Sequence, residues 1–167
     1  MKTATFDPLR ALRALTDGGV RFAVIGGIAA SLSGSPTVTR DLDICYARDR
    51  GNLEALAKVL VGLRARLRGL APGLPFSLDA RTLAAGDSFT FVTDAGDLDI
   101  MGAPAGTEGY EDLARDADRV EVDGRDVLVA SIYDLIRMKR AAGRPKDLIE
   151  IEILGALQEE RASRSPR

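Results

Sequence analysis

Ile25-Gly26-Gly27 and, after an intervening thirteen residues, Asp41-Leu42-Asp43-Ile44 form the stretch that organises this chain. Arg21 to Ile25 reads as a short strand, with Phe22, Val24 and Ile25 apolar, and Gly26-Gly27 breaks it. Ile28 to Leu32 is apolar and small and predicts a short helix. Backbone N–H groups at such a strand-to-helix turn suit phosphate oxygens. The same pair also serves as a plain tight turn, and it is neither a dinucleotide fingerprint nor a P-loop.

Asp41 to Tyr46 predicts a second strand. Residues two apart in a strand share a face, so Asp41 and Asp43 point one way while Leu42, Ile44 and Tyr46 point the other. Two adjacent carboxylates on an apolar strand repel each other unless a cation sits between them or both face water. Leu98-Asp99-Ile100 places a third aspartate inside another apolar strand, with Asp97 two residues before it as the competing candidate. A triad of this kind holds one or two Mg2+ ions, which grip the phosphates of a nucleotide.

The composition narrows the chemistry. The chain has 167 residues, 46% apolar and 29% charged, with a net charge of −2. That length predicts one domain over residues 1–160, with a polar tail over 161–167 expected to fray. Histidine is absent, which excludes Ser-His-Asp triads, His general bases and His-ligated zinc. The single cysteine, Cys45, has no intrachain partner and reads as a small core residue. No apolar run reaches a membrane span, and Met1-Lys2-Thr3 leads into no signal-peptide region, so the expected location is the cytoplasm.

The remaining elements follow from periodicity and caps. Asp7-Pro8 caps a helix carrying Leu9, Leu12 and Leu15, which ends at Gly18-Gly19. Ser33-Gly34-Ser35-Pro36 is a turn. Asn52 is read as the cap of a helix running to about Leu67, on which Arg64, Arg66 and Arg68 spread over different faces and serve solubility. Asp79 to Ala85 fits one helical turn. Phe89–Val92 and Leu98–Met101 predict a hairpin, Glu108 to Asp116 a short helix, and Val120–Val122 with Val127–Val129 a second hairpin about Asp123-Gly124. Ser131 caps a helix through Met138. Gly143-Arg144-Pro145 stops it and starts a last helix with Leu148, Ile151, Leu154 and Leu157 on one face. This order predicts an α+β fold, a small mixed sheet flanked by helices.

Arg137, Lys139, Arg140, Arg144 and Lys146 cluster at that helix junction. They suit a triphosphate or an RNA backbone, or form a solvated helix face. Asp147 falls in the first turn of the last helix, where it favours the dipole in any case. Tyr46 and Tyr110 are candidates to stack on a base.

Taken together, Ile25-Gly26-Gly27, Asp41-Leu42-Asp43-Ile44 and Leu98-Asp99-Ile100 resemble the nucleotidyltransferase signature of the DNA polymerase beta superfamily. Thr39-Arg40-Asp41-Leu42-Asp43 and the segment from Lys139 to Asp147 are similar to the minimal and abortive-infection-type members, many of which belong to toxin–antitoxin pairs. The likeness runs from about Val20 to Leu157. It implies a polymerase-beta-like palm. It further implies that Asp41, Asp43 and Asp99 bind Mg2+, that Gly26 and Gly27 bind the nucleoside triphosphate, ATP among the candidates, and that Lys139, Arg144 and Lys146 contact phosphates. The implied activity moves an NMP from an NTP to a hydroxyl of RNA or protein. The alternative is a non-catalytic nucleotide-sensing or partner-binding module, whose apolar helices would serve a cognate antitoxin or a second copy.

Overall fold

The computed structural model describes residues 4–165; Met1-Lys2-Thr3 and the last two residues of the expected tail lie outside them. Seven strands form one mixed sheet. In chain order they are β1 (Phe22–Ile25), β2 (Asp41–Tyr46), β3 (Arg66–Leu67), β4 (Ser88–Thr93), β5 (Gly96–Met101), β6 (Asp118–Val122) and β7 (Arg125–Val129). Across the sheet they run β3-β4-β5-β2-β1-β7-β6. Seven helices accompany them: α1 (Pro8–Asp17), α2 (Gly26–Leu32), α3 (Arg50–Gly62), α4 (Ala80–Ala85), α5 (Tyr110–Asp116), α6 (Ile132–Ala142) and α7 (Asp147–Arg164).

The middle of the sheet fixes the geometry that matters. All four residues of β1 are buried, as expected of a strand covered on both faces. β1 pairs antiparallel with β2, and β2 pairs parallel with β5 in a register that sets Asp43 opposite Asp99 and Asp41 opposite Asp97. Both expected hairpins form, as β4–β5 and β6–β7. Leu42, Ile44, Leu98 and Ile100 are essentially fully buried, so the opposite face of both strands presents the aspartates.

Helix ends follow local rules. The Asp7 side chain accepts from Arg10 N at 3.0 Å with Pro8 in the first turn, and Ser131 accepts from Asp134 N at 3.1 Å. Gly143 closes α6 in the left-handed conformation at φ 64°, which only glycine adopts freely.

Three expectations are corrected. Asp49, not Asn52, caps α3, accepting from Asn52 N at 3.1 Å. The Asn52 side chain is instead buried between strands: it accepts from Arg21 N at 2.7 Å and donates to Arg21 O at 3.1 Å and Ala47 O at 2.7 Å. It thereby ties the approach to β1 to the exit of β2. α3 ends at Gly62, because Arg64 turns left-handed at φ 52° and the chain then pairs as β3 with Phe91 and Val92. Leu148 is 64% exposed and does not join the inner face of α7. That face is Ile151, Leu154 and Leu157. α7 runs to Arg164, with Arg161 donating to Ser33 O at 3.2 Å.

Candidate active site

Three aspartates converge at the centre of the sheet. Asp41 and Asp43 project from one face of β2 and Asp99 from the adjoining face of β5, with one ligand oxygen from each lying within 4.8 Å of the others. Asp99 is more enclosed than Asp97: their side chains are 14% and 43% exposed.

Each carboxylate has its own support. Thr39 Oγ1 donates to Asp41 Oδ1 at 2.7 Å. Asp43 lies directly over Gly26, which sits at φ +66°; a Cβ there would overlap the carboxylate. Asp99 Oδ1 accepts from Arg68 Nη2 at 3.0 Å. A Cβ on Gly27 would come within 2.7 Å of Thr39 Cβ, so this second glycine leaves room for the threonine that holds Asp41.

The electrostatics show like charges crowded together. Asp43 is pushed up to about 7, first by burial and then by the charges of Asp41 and Asp99, with Lys139 and Arg144 working against the rise. Burial also holds Asp99 above the ordinary carboxylate range, opposed by Arg68 and reinforced by Asp41. An all-oxygen donor set with uncompensated negative charge suits a hard divalent cation. These residues therefore fit the metal that the sequence implies.

The triad lines a cleft of about 490 Å³, within the usual range for a small-molecule site. Its remaining walls include Gly26 and Gly27 at the head of α2, Lys139 on α6, Arg144 and Lys146 at the α6–α7 junction, and Asp147 on α7. Thr37, Val38 and Thr39 form one rim. Met101, Pro104, Ala105, Leu135, Met138 and Ala142 form an apolar wall.

Three members of the basic group, Arg137, Lys139 and Arg144, are ion-paired within the protein. Arg144 Nε and Nη2 donate to the two oxygens of buried Asp147 at 2.8 and 3.2 Å, which holds the Asp147 carboxyl below its ordinary range. Lys139 pairs with Glu150 and lies 3.8 Å from Asp147. Arg137 turns away from the cleft to Asp112 and Asp134, at 3.0 and 2.9 Å.

Other sequence candidates lie elsewhere. Cys45 is buried, its Sγ donating to Gly102 O at 3.5 Å, and burial pushes the thiol up to about 12, which leaves it inert as a nucleophile. Tyr46 is fully buried, with its hydroxyl directed to Asp87 O at 3.4 Å. Tyr110 lies under the Arg21 guanidinium, 5.8 Å from ring centroid to Cζ. Neither lines the cleft. Sequence reasoning missed Arg68 and Glu150. Arg66 and Arg68 are two residues apart, the spacing of one strand face, which signals the short edge strand that Arg68 directly follows. Glu150 stands one helical turn after Asp147, on the same face of α7.

No protein-family model and no curated protein matches the chain. Solved structures do. A lincosamide antibiotic adenylyltransferase, LnuA, with lincomycin bound superposes with a TM-score of 0.61 at 14% identity, over 90% of this chain and 95% of that one. ANT(2'')-Ia in complex with adenylyl-2''-tobramycin superposes with a TM-score of 0.53 at 19% identity, over 92% and 91%. A Thermotoga maritima protein proposed to be a nucleotidyltransferase gives 0.52 at 19% identity, over 96% and 98%. With the sheet order and the placement of the helices, these likenesses establish that the chain has the nucleotidyltransferase fold.

Proposed function

We propose that this protein is a Mg2+-dependent nucleotidyltransferase that moves an NMP from an NTP to a hydroxyl acceptor. The observation that carries the reading is the meeting of Asp41, Asp43 and Asp99 with Gly26, Gly27, Lys139, Arg144 and Lys146 in one cleft. Asp41, Asp43 and Asp99 would hold the metal, one ion or two, which supplies charge neutralisation for the phosphates and acidifies the attacking hydroxyl.

The chain's own residues do the rest. Gly26 and Gly27 let the backbone at the start of α2 approach the triphosphate without side-chain obstruction. Lys139, Arg144 and Lys146 face the same cleft and draw its negative charge toward the α6–α7 side. The acceptor oxygen attacks the α-phosphorus, the bond to the bridging oxygen of the β-phosphate breaks, and pyrophosphate leaves. Asp99 takes the hydroxyl proton. Catalysis is then mainly positioning and electrostatic stabilisation.

For the acceptor, the sequence resemblance points to RNA or protein, and the two antibiotic adenylyltransferases support a small hydroxylated molecule. We favour the small molecule. Arg137, Lys139 and Arg144, three of the five cations at the helix junction, are ion-paired within the protein, which reduces the charge available to follow a nucleic-acid backbone. The toxin–antitoxin role rests on the sequence resemblance alone. None of the described helices is long and apolar enough to cross a membrane.

The test is transfer of label from each of four α-labelled NTPs, with Mg2+, to separate pools of hydroxylated small molecules, RNA and protein. Label on the small-molecule pool, lost in Asp41→Ala and Asp43→Ala, is the expected result. Label on RNA or protein retains the enzyme and replaces the acceptor. NTP binding with no transfer to any pool favours the sensing module.

A further inference from the structure

We infer that Arg68 is a positioning residue for Asp99: a counter-ion built into the sheet that fixes this carboxylate and competes with a bound cation for it. The inference rests on the reading of Asp41, Asp43 and Asp99 as a metal site.

The geometry is specific. Arg68 directly follows β3, and its backbone N donates to Thr90 O at 2.9 Å, so the chain is anchored to β4 at the arginine itself. Its Nη2 donates to Asp99 Oδ1 at 3.0 Å and lies 3.3 Å from Asp97 Oδ2. One guanidinium nitrogen thus bridges two carboxylates that share a face of β5. The bridge is lopsided: Asp99 is the enclosed partner and Asp97 the solvent-facing one. Asp99 lines the cleft while Arg68 lies outside the lining, so the arginine grips Asp99 from behind. Asp41 accepts from Thr39, and Asp43 lies in the space that a β-carbon on Gly26 would fill. Among the described residues, Arg68 is the one hydrogen-bond donor to the Asp99 side chain.

Two consequences of opposite sign follow. A cation arriving at the triad meets an Asp99 already partly neutralised, so removing Arg68 strengthens metal binding. The carboxylate that receives the acceptor proton then has no partner fixing its orientation, so removing Arg68 slows transfer. A merely structural arginine would lower both.

The experiment compares wild type, Arg68→Gln, Arg68→Lys and Asp97→Asn by calorimetry with Mn2+ alone and by kcat and KM for NTP in the transfer assay. Arg68→Gln is expected to bind Mn2+ about three- to fivefold more tightly, the scale of one half-exposed charge pair. Its kcat is expected to fall about 30-fold, since small misplacements of a reacting group cost up to about 100-fold, with KM for NTP within about twofold. Arg68→Lys keeps the charge, so its Mn2+ affinity stays near wild type and part of kcat returns. Asp97→Asn releases the arginine wholly to Asp99 and is expected to weaken Mn2+ binding about twofold; it carries the test if Arg68→Gln does not fold. Mn2+ affinity unchanged or weaker in Arg68→Gln, or unchanged in Asp97→Asn, overturns the inference. Wild type that binds no Mn2+ overturns the metal-site reading itself, a separate result.

Discussion

Gly26 and Asp43 occupy one volume: the aspartate carboxylate lies where a β-carbon on residue 26 would be. The glycine is also left-handed, at φ +66°. Gly26→Ala therefore carries two penalties. The backbone conformation costs about 1–2 kcal/mol for a residue with a side chain, and Asp43 must move. We expect a stability loss of about 1–3 kcal/mol in urea denaturation and a fall in transfer rate on the order of 100-fold. Wild-type turnover in this variant would show that Asp43 has no fixed catalytic position.

The crowding of carboxylates makes the metal-free site a source of instability. Asp43 titrates at about 7 in the fold against 3.8 for the free group. Between those values the native state holds a proton that the unfolded chain has released. Stability from this group is therefore present below about pH 4 and is lost as pH rises through 7. In EDTA, Asp43→Asn is expected to match wild type near pH 4 and to exceed it at pH 8 by about 1–3 kcal/mol, after allowance for solvent screening. A difference that stays flat across that range would remove the electrostatic account of the site.

Metal addition should reverse that order. A cation that binds only the folded state stabilises it by about 2.7 kcal/mol at a hundredfold excess over its Kd. Wild type is expected to gain in Tm with Mg2+ or Mn2+, while Asp41→Ala and Asp43→Asn gain little. At pH 8 with saturating metal, wild type becomes the more stable protein. Equal shifts in wild type and Asp43→Asn would place the cation elsewhere.

Much of this site was legible before the structure because its signals are local. Strand alternation put Asp41 and Asp43 on one face, and the glycine pair marked the strand-to-helix turn. What periodicity does not carry is which strands become neighbours. The parallel pairing of β2 with β5, which sets Asp43 against Asp99, joins segments more than fifty residues apart. Arg68 shows the same limit. Its charge and its position after a leucine-rich helix argue for solvent, and only pairing of β3 with β4 turns it toward Asp99. Asn52 misled for a different reason: asparagine favours helix caps, but Asp49 already fills that role, which leaves the amide free to join strands.

The Asn52 staple gives a prediction about the fold. Asn52→Ala leaves two backbone groups, Arg21 N and Ala47 O, without their partner, while Arg21 O keeps the bond from Ala47 N. Each unsatisfied group costs about 1–3 kcal/mol, less whatever water recovers. A loss of about 2–4 kcal/mol is expected by urea denaturation, with Mn2+ affinity per folded molecule unchanged, since the triad lies toward the other end of β2. A loss below about 1 kcal/mol would mean that water replaces the amide.

A change at Asp147 tests whether the cations at the α6–α7 junction serve donor binding or the reaction itself. Asp147 is 2% exposed, engages Arg144 through both oxygens and lies within 3.8 Å of Lys139. On the proposed reading its effect is indirect, through the two cations it pairs with at the cleft wall. Breaking a buried charge pair at one partner costs about 3–5 kcal/mol, and Arg144, 55% exposed, recovers part of that from solvent. Asp147→Asn preserves shape and one acceptor oxygen, so a smaller loss of about 1–2 kcal/mol is expected, together with a rise of about tenfold in KM for NTP. Because a triphosphate contact made equally before and during transfer acts on KM alone, kcat is expected to stay within about threefold of wild type. A variant that lost kcat and kept KM would instead make Asp147 part of the reacting centre, and the assignment of Lys139 and Arg144 to donor binding would have to be withdrawn.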